Sequence, residues 1–272
     1  MGRFGVCKDK GRRDAVKVVY CAYGAAKYAD QLAQSVRSLK AWHPEARIVV
    51  WSSADFTQNL WNLPVEVVVS PVAERPSDWH DPLMKLRAIA DQAAQAEPFL
   101  YLDTDTFIAG PLDEAWKLLS DYDCLGVHSP IPDQRGFLVL PPAPGLTRPD
   151  PAVFPEWNGG VLFFSGRDGA QRIARNWLVW QEKMIPGGGD QWTLAQALWS
   201  SGARLHALPN TWNCRLPASP SVYGAVKILH DDHPDLASVS EIINQEQRLR
   251  RIVRDGETYV LAHDLTDGRR CF

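Results

Sequence analysis

The stretch that most constrains the fold is residues 98–109, Pro-Phe-Leu-Tyr-Leu-Asp-Thr-Asp-Thr-Phe-Ile-Ala. Its four apolar or aromatic residues at 99–102 predict a strand buried on both faces, as in a sheet covered by helices. Asp103 and Asp105 follow this strand, and open α/β sheets bind their ligands at the carboxyl ends of strands. Two carboxylates this close repel each other when both are ionised, which favours a cation between them. The alternative is a solvated turn without a ligand, because Asp-x-Asp is a common sequence.

Strand and helix patterns alternate through the first half of the chain. Apolar runs predict strands over 17–23, 47–51, 65–69 and 99–102, and helical spacing predicts helices over 28–42 and from Asp81-Pro82 to the last of these strands. This order predicts an α/β fold with a mostly parallel central sheet flanked by helices, of the type that binds nucleotides.

The second half of the chain alternates strands and helices less regularly. Strands are predicted over 122–128, 156–165 and 225–230, and helices over 112–120, 169–184, 191–201 and, at the C-terminus, about 238–254. Recurring prolines in residues 130–155 predict a long loop, which in a compact domain is usually a lid or a binding segment. We expect a loose leader over 1–14 and a single domain over 15–272, with a nucleotide-binding half (about 15–128) and an acceptor and metal half (about 129–235).

Composition excludes several classes of function. The net charge is −3 and no basic run occurs, which argues against a nucleic-acid surface. No apolar stretch approaches the length of a transmembrane segment. The five cysteines contain no Cys-x-x-Cys pair, which is typical of reduced thiols in a cytoplasmic protein. Cys21 and Cys124 lie in apolar runs and are expected in the core.

Two further groups of residues are candidates for the same site. His230 ends a predicted strand and could complete a metal site with an imidazole nitrogen, although His233 follows so closely that the choice between them stays open. Asn158-Gly159-Gly160 opens another strand with little side-chain bulk, which permits a ligand to approach the backbone. A β-bulge or tight turn would explain the same glycines.

Asp190 follows the three glycines 187–189 and precedes Gln191. An aspartate here is a good N-cap for the predicted helix. A cap alone does not require three preceding glycines, so a catalytic role for Asp190 is the second hypothesis.

These segments together resemble the GT-A glycosyltransferases, and most closely the glycogenin-like or galactosyltransferase-like members of family 8. The resemblance extends over roughly residues 16–231 as an ordered series of motifs. In chain order they are Val-Val-Tyr-Cys-Ala-Tyr-Gly at 18–24, Leu-Met-Lys-Leu at 83–86, Tyr-Leu-Asp-Thr-Asp-Thr at 101–106, Trp-Asn-Gly-Gly-Val at 157–161, Gly-Asp-Gln at 189–191, Leu-Pro-Asn-Thr-Trp-Asn at 208–213 and Ile-Leu-His at 228–230.

The resemblance implies a role for each matching residue. Asp103, Asp105 and His230 would bind Mn²⁺ or Mg²⁺ that bridges the diphosphate of a nucleotide-sugar. The donor would be held by Ala22, Tyr23, Gly24 and Tyr28 at base and ribose, by Lys85 at the phosphates or sugar, by Asp103 and Thr104, and by Asn158, Gly159 and Gly160 near the sugar. Asp190 and Gln191 would be catalytic, next to the transferred sugar, in a reaction that retains the anomeric configuration.

The predicted function is therefore transfer of a sugar from a nucleoside diphosphate donor, expected to be UDP-linked, to an unknown acceptor. One alternative is a haloacid-dehalogenase phosphatase, whose first motif is Asp-x-Asp-x-[Thr/Val]. Phe107 stands at the required Thr/Val position here, and that motif normally opens its fold. Another alternative is a non-catalytic module that binds sugar-nucleotides, which would be favoured if Asp190 lay far from the aspartate pair.

Overall fold

The computed structural model of the chain describes residues 16–70, 82–129, 154–183, 190–218, 220–255 and 258–262. The strands are β1 Lys17–Ala22, β2 Arg47–Ser52, β3 Glu66–Val69, β4 Phe99–Leu102, β5 Thr106–Ile108, β6 Cys124–His128, β7 Trp157–Phe164, β8 Leu205–Ala207, β9 Cys214–Arg215, β10 Ser221–Val222, β11 Ile228–His230, β12 Arg250–Asp255 and β13 Thr258–Ala262. The α-helices are α1 Lys27–Trp42, α2 Pro82–Ala94, α3 Asp113–Leu118, α4 Asp168–Glu182, α5 Asp190–Ser200 and α6 Leu236–Asn244.

The central sheet has seven strands in the order β3-β2-β1-β4-β7-β6-β8. Its pairings β2·β3, β1·β2, β1·β4 and β6·β8 are parallel, whereas β7 runs antiparallel to both of its neighbours. Because β7 is reversed, its first residues lie beside the carboxyl end of β4, with Val161 opposite Leu102. The predicted fold class, a mostly parallel sheet flanked by helices, is confirmed.

Strand residues on the two faces of this sheet supply two separate cores. Val18 and Tyr20 of β1 face the core that includes Leu32, Val36 and Leu39 of α1. Val19 of β1 faces the opposite core, which α2, α4 and α5 cover. Every residue of β1 and β4 is buried, because both faces of each strand are covered.

Two three-stranded sheets complete the described structure. The first has the order β5-β11-β9, in which β11 runs antiparallel to β5 and parallel to β9. Since β5 begins just after Asp105, the chain passes from the central sheet into this small sheet through the aspartate pair. The second small sheet is β10-β12-β13.

The predicted helix over 238–254 is wrong in its second half. The helix ends at Asn244, whose side chain bonds both backbone groups of Val226. Residues 250–255 form β12, in which buried Ile252 pairs with β13 and faces a core of its own. Arg250 is only 1% exposed, because its guanidinium donates to the backbone carbonyls of Gly224 and Ile243. The polar sequence of this segment therefore indicated a surface helix. The structure instead buries Arg250 in a strand, where backbone carbonyls outside the strand accept its hydrogen bonds.

The other predicted elements are present with ends that differ by a few residues. Three predictions lie wholly or mainly outside the described residues: the leader over 1–14, the loop over 130–155 and the glycines 187–189. Cys21 and Cys124 are buried, as predicted. In the part of the chain described here, no helix has the length and apolar character that crossing a bilayer requires.

Candidate active site

Asp103 and Asp105 lie in a turn that is held by both sheets it connects. The N–H of Asp103 donates to the carbonyl of Gly160 in β7 at 2.8 Å. The hydroxyl of Thr106 donates back to the carbonyl of Asp103 at 2.8 Å, and the N–H of Asp231 donates to the carbonyl of Asp105 at 3.0 Å. The turn is thus fixed in position, unlike the free solvated turn that the sequence also allowed.

His230 lies next to these two carboxylates. Its Nε2 is 3.3 Å from Oδ1 of Asp105 and 3.9 Å from Oδ2 of Asp103. The three side chains can present one ligand atom each within 4.8 Å of one another. His233 instead accepts a hydrogen bond from the N–H of Asp235 and packs its ring against Tyr259. Of the two histidines that the sequence left open as metal ligands, His230 is therefore the one that lies beside the carboxylates.

Asp105 is held in its ionised form. Burial alone would raise its pKa, but the adjacent His230 outweighs that effect and, with a smaller contribution from Arg215, holds the pKa well below its ordinary value. Asp105 can therefore offer a charged oxygen to a cation at any pH near neutrality.

A chain of amides fixes which nitrogen of His230 carries the proton. The N–H of Gly160 donates to Oδ1 of Asn158 at 3.0 Å, and a backbone N–H can only donate, so this oxygen is an acceptor. Nδ2 of Asn213 donates to the same oxygen at 2.8 Å, which turns Oδ1 of Asn213 toward Nδ1 of His230 at 2.9 Å. Nδ1 must therefore carry a proton, and Nε2 is the nitrogen that faces the carboxylates and that would be available to a metal.

The same chain orients Gln191. Since Oδ1 of Asn158 is an acceptor, its Nδ2 donates to Oε1 of Gln191 at 2.7 Å. Gln191 thus points its oxygen at Asn158. Gln191 was predicted from the sequence, whereas Asn213 was part of a quoted motif without an assigned role.

Lys85 connects Asp103 to Asp190. Its ammonium lies 3.2 Å from Oδ1 of Asp103 and 2.7 Å from Oδ2 of Asp190. Only 7% of the Lys85 side chain is exposed, so burial opposes its charge, yet the two carboxylates outweigh burial and raise its pKa. The ammonium also lies 5.0 Å from the centre of the Tyr101 ring, within range of a cation–π contact. Asp190, the first residue of α5, is therefore close to the aspartate pair.

The two glycines at the start of β7 permit this crowding. A Cβ on Gly160 would overlap the ring of His230 and the carboxylate of Asp103. A Cβ on Gly159 would lie 3.3 Å from Nζ of Lys85 and 3.4 Å from Oδ2 of Asp190, a tight contact. The close approach is thus between protein groups. The alternative of a β-bulge also has support, because the pairing of β7 with β6 shifts register between Trp157 and Leu162.

Two clefts meet at Lys85, Asp103 and Asp105. The larger cleft, of about 420 Å³, is lined by Cys21, Tyr23, Gly24, Ala25, Lys27, Tyr28, Gln31, Lys85, Tyr101, Asp103, Thr104, Asp105 and Asp232. The smaller cleft, of about 280 Å³, is lined by Lys85, Asp103, Asp105, Asn158, Gly159, Gly160, Asp190, Gln191, Arg215 and His230. Gly24 has φ of 85°, a left-handed conformation that glycine adopts without strain, and it turns the chain from β1 toward α1.

One predicted residue does not line either cleft. Ala22 is 1% exposed and packs in the core beneath the sheet, because it is the last residue of β1 and faces α1. Lys27, Gln31 and Asp232 line the larger cleft but were not singled out from the sequence. Asp232 forms an ion pair with Lys27 at 2.6 Å, which ties the segment after His230 to α1.

The fold is shared with glycosyltransferases of known structure. The galactosyltransferase LgtC, in complex with donor and acceptor sugar analogues, matches with a TM-score of 0.51 and 18% identity over 80% of this chain and 88% of that one. Mouse xyloside xylosyltransferase 1 in its apo form matches with a TM-score of 0.55 and 14% identity over 80% of this chain and 98% of that one. The glycosyltransferase GlyE of Streptococcus pneumoniae TIGR4 matches with a TM-score of 0.53 and 18% identity over 86% of this chain and 57% of that one.

The sequence itself matches no family model and no curated protein. The likeness is therefore one of three-dimensional structure, and it confirms the resemblance stated from the motifs at the level of the fold. This chain has the GT-A glycosyltransferase fold.

Proposed function

We propose that this protein is a metal-dependent glycosyltransferase that moves a sugar from a UDP-linked donor to an acceptor hydroxyl, with retention of the anomeric configuration. The observation that carries the proposal is the position of Asp103, Asp105 and His230, whose ligand atoms come within 4.8 Å of one another where the two clefts meet. The GT-A fold supports it, because solved structures that share the fold include several glycosyltransferases.

The three side chains suit Mn²⁺ or Mg²⁺. Two carboxylates offer the oxygen ligands that hard cations prefer, and the lone pair on Nε2 of His230 adds a nitrogen. Such a cation, when bound, offsets the charge that grows on the departing diphosphate. The nucleotide would occupy the larger cleft, where Tyr23, Gly24, Tyr28 and Thr104 are in reach of base and ribose.

The transferred sugar would occupy the smaller cleft. Asn158, Gly159, Gly160 and Gln191 line that cleft and would surround the sugar hydroxyls. Asp190 would stabilise the positive charge that develops at the anomeric carbon as the donor bond breaks.

Retention is part of the proposal because of how Asp190 is held. Among the described residues that line the smaller cleft, the carboxylates are Asp103, Asp105 and Asp190. An inverting enzyme needs one carboxylate as a base for the acceptor. The first two are proposed metal ligands, and Asp190 is in an ion pair with Lys85 at 2.7 Å, which makes it a poor base but a good fixed charge.

The alternatives differ in what supports them. The phosphatase loses its support, because the aspartate pair follows the fourth strand of a GT-A fold instead of the first strand of its own. A non-catalytic binding module would be favoured if Asp190 lay far from the aspartate pair. Asp190 and Asp103 instead share Lys85 as a partner, and this proximity favours an enzyme.

The experiment that tests the proposal has two stages. Thermal unfolding is measured with a panel of nucleotide-sugars in the presence of Mn²⁺ and again in EDTA, because a bound donor raises the melting temperature by mass action. The donor that stabilises most is then incubated with candidate acceptors, and free nucleoside diphosphate and inorganic phosphate are assayed. Metal-dependent stabilisation with release of nucleoside diphosphate supports the transferase. Release of inorganic phosphate would indicate a phosphatase, and stabilisation without any turnover would indicate a binding module.

We also infer a cytoplasmic location. The described cysteines, Cys21, Cys124 and Cys214, are free thiols in the structure, which supports a reducing compartment. Cell fractionation followed by immunodetection would test this inference, and recovery from an oxidising compartment would contradict it.

A further inference from the structure

Arg215 occupies a position beside the proposed metal site that the sequence did not single out. It ends β9, which pairs in parallel with β11, and it lies in register with His230. Its neighbour Cys214 is buried in the core behind these strands. Because successive side chains of a strand point to opposite faces, Arg215 points away from that core, and it lines the smaller cleft.

Arg215 and Lys85 differ in how their positive charges are paired. Lys85, the other cation that lines the smaller cleft among described residues, is paired with two carboxylates. Nε of Arg215 is buried and has no hydrogen-bond partner within the described part of the chain. The guanidinium is nevertheless close enough to Asp105 to lower the pKa of that carboxyl.

The charges that line the smaller cleft do not cancel when Arg215 is included. The three negative charges of Asp103, Asp105 and Asp190 would be offset by Lys85 together with one bound divalent cation. His230 contributes no charge when Nε2 is a ligand. Arg215 is then the uncompensated cation of the cleft, and a planar guanidinium with several N–H donors is suited to bind an oxyanion.

We propose that Arg215 binds the β-phosphate of the donor and stabilises the charge that collects there, an inference that rests on the proposed function. In the reaction, the bond between the anomeric carbon and the β-phosphate oxygen breaks, and its electron pair stays on that oxygen. The acceptor oxygen forms the new bond to the carbon, and its proton passes to the released diphosphate. Arg215 would act on the oxygen that gains the electron pair, and Asp105 and His230 would hold the cation that supplies further positive charge.

An anionic acceptor could supply an oxyanion to the same guanidinium, and the test separates the two sources. Calorimetry with Mn²⁺ present measures the affinities of UDP, UMP and inorganic pyrophosphate for the wild type, Arg215→Gln and Arg215→Lys. Arg215→Gln should weaken UDP and pyrophosphate by at least about tenfold. UMP, which lacks the β-phosphate, should bind as to the wild type, and Arg215→Lys should fall between the other two proteins. Arg248→Gln, which alters an exposed arginine outside both clefts, serves as the matched control.

Titration of Mn²⁺ alone shows that the variant is folded at the site. Removal of a nearby positive charge should leave Mn²⁺ affinity unchanged or raise it, whereas a collapsed site would lose it. If Arg215→Gln keeps Mn²⁺ binding and binds UDP and pyrophosphate as tightly as the wild type, the assignment to the β-phosphate is wrong. A raised KM for the acceptor alone would then assign Arg215 to an anionic acceptor. If wild-type protein fails to bind either probe with Mn²⁺, the proposed function itself fails, which is a different result.

Discussion

Oδ1 of Asn213 lies 2.9 Å from Nδ1 of His230, and this contact determines that the histidine turns Nε2 toward Asp103 and Asp105. Asn213 is itself oriented by Asn158, whose oxygen is committed to a backbone N–H. The proposed metal centre therefore depends on residues that would not touch the metal.

The first prediction concerns Asn213. Asn213→Leu keeps the volume but removes the acceptor for His230, so the ring is no longer held in one tautomer, and Mn²⁺ affinity should fall by about 10- to 100-fold. Asn213→Asp still accepts from Nδ1 and should retain more of the affinity. Electron paramagnetic resonance of free Mn²⁺ gives both values. Wild-type affinity in the leucine variant would show that the contact is dispensable.

The second prediction is that nucleotide binding depends on the metal through Asp105. UDP affinity of the wild type should drop by about tenfold or more, about 1.4 kcal/mol, when EDTA replaces Mn²⁺. Asp105→Asn should show a much smaller difference between the two conditions. Calorimetry checks both, with Asp121→Asn as the control because that carboxylate is exposed on the surface. Equal UDP affinity with Mn²⁺ and EDTA in the wild type would remove the metal from the proposal.

The third prediction separates a catalytic role of Asp190 from a purely structural one. The structure makes Asp190 the first residue of α5 and pairs its carboxylate with the buried ammonium of Lys85. Asp190→Asn keeps the size of the side chain but leaves Lys85 with Asp103 alone, so it should destabilise the fold by about 1–3 kcal/mol without unfolding the protein. Loss of the fixed negative charge should lower kcat by about a hundredfold or more. Asp168→Asn makes the same change at the first residue of α4 and should leave kcat unaffected. Near-normal turnover of Asp190→Asn on the true acceptor would make Asp190 only a structural residue.

The fourth prediction compares two adjacent glycines. Gly160→Ala places a methyl group against the ring of His230 and the carboxylate of Asp103, so it should destabilise the fold by about 1–3 kcal/mol and abolish Mn²⁺ binding. Gly159→Ala meets Lys85 and Asp190 at 3.3–3.4 Å and should be milder on both counts. Denaturant unfolding and Mn²⁺ titration measure the two effects. A Gly160→Ala protein that binds Mn²⁺ normally would contradict the close packing at this position.

The sequence by itself determined the features that are written in neighbouring residues. The apolar runs around β1, β2 and β4 are long and unbroken, so strands buried on both faces followed from local pattern alone. The aspartate pair was visible because a strand led directly into it. The order of strands and helices was also enough to indicate the fold class, because parallel strands need helical crossovers.

Only the tertiary structure decided the direction of β7. Its sequence is buried and apolar whichever way the strand runs. Reversal next to β4 brings Asn158 and the two glycines after it to the edge where Asp103 lies. A pattern of burial carries no information on strand direction, so this placement could not be predicted from the segment itself.

The tertiary structure also determined which further residues contact the site. Arg215 reaches the cleft because β9 pairs with β11 in one register, and Asn213 reaches His230 because the chain turns just before that pair. The C-terminal segment forms a strand pair instead of a helix because Ile252 packs in a core of its own and Arg250 donates to the carbonyls of Gly224 and Ile243, outside the segment. Local propensity is a weak term beside burial and hydrogen bonding between distant segments, so the sequence determined the elements and the tertiary contacts determined the site.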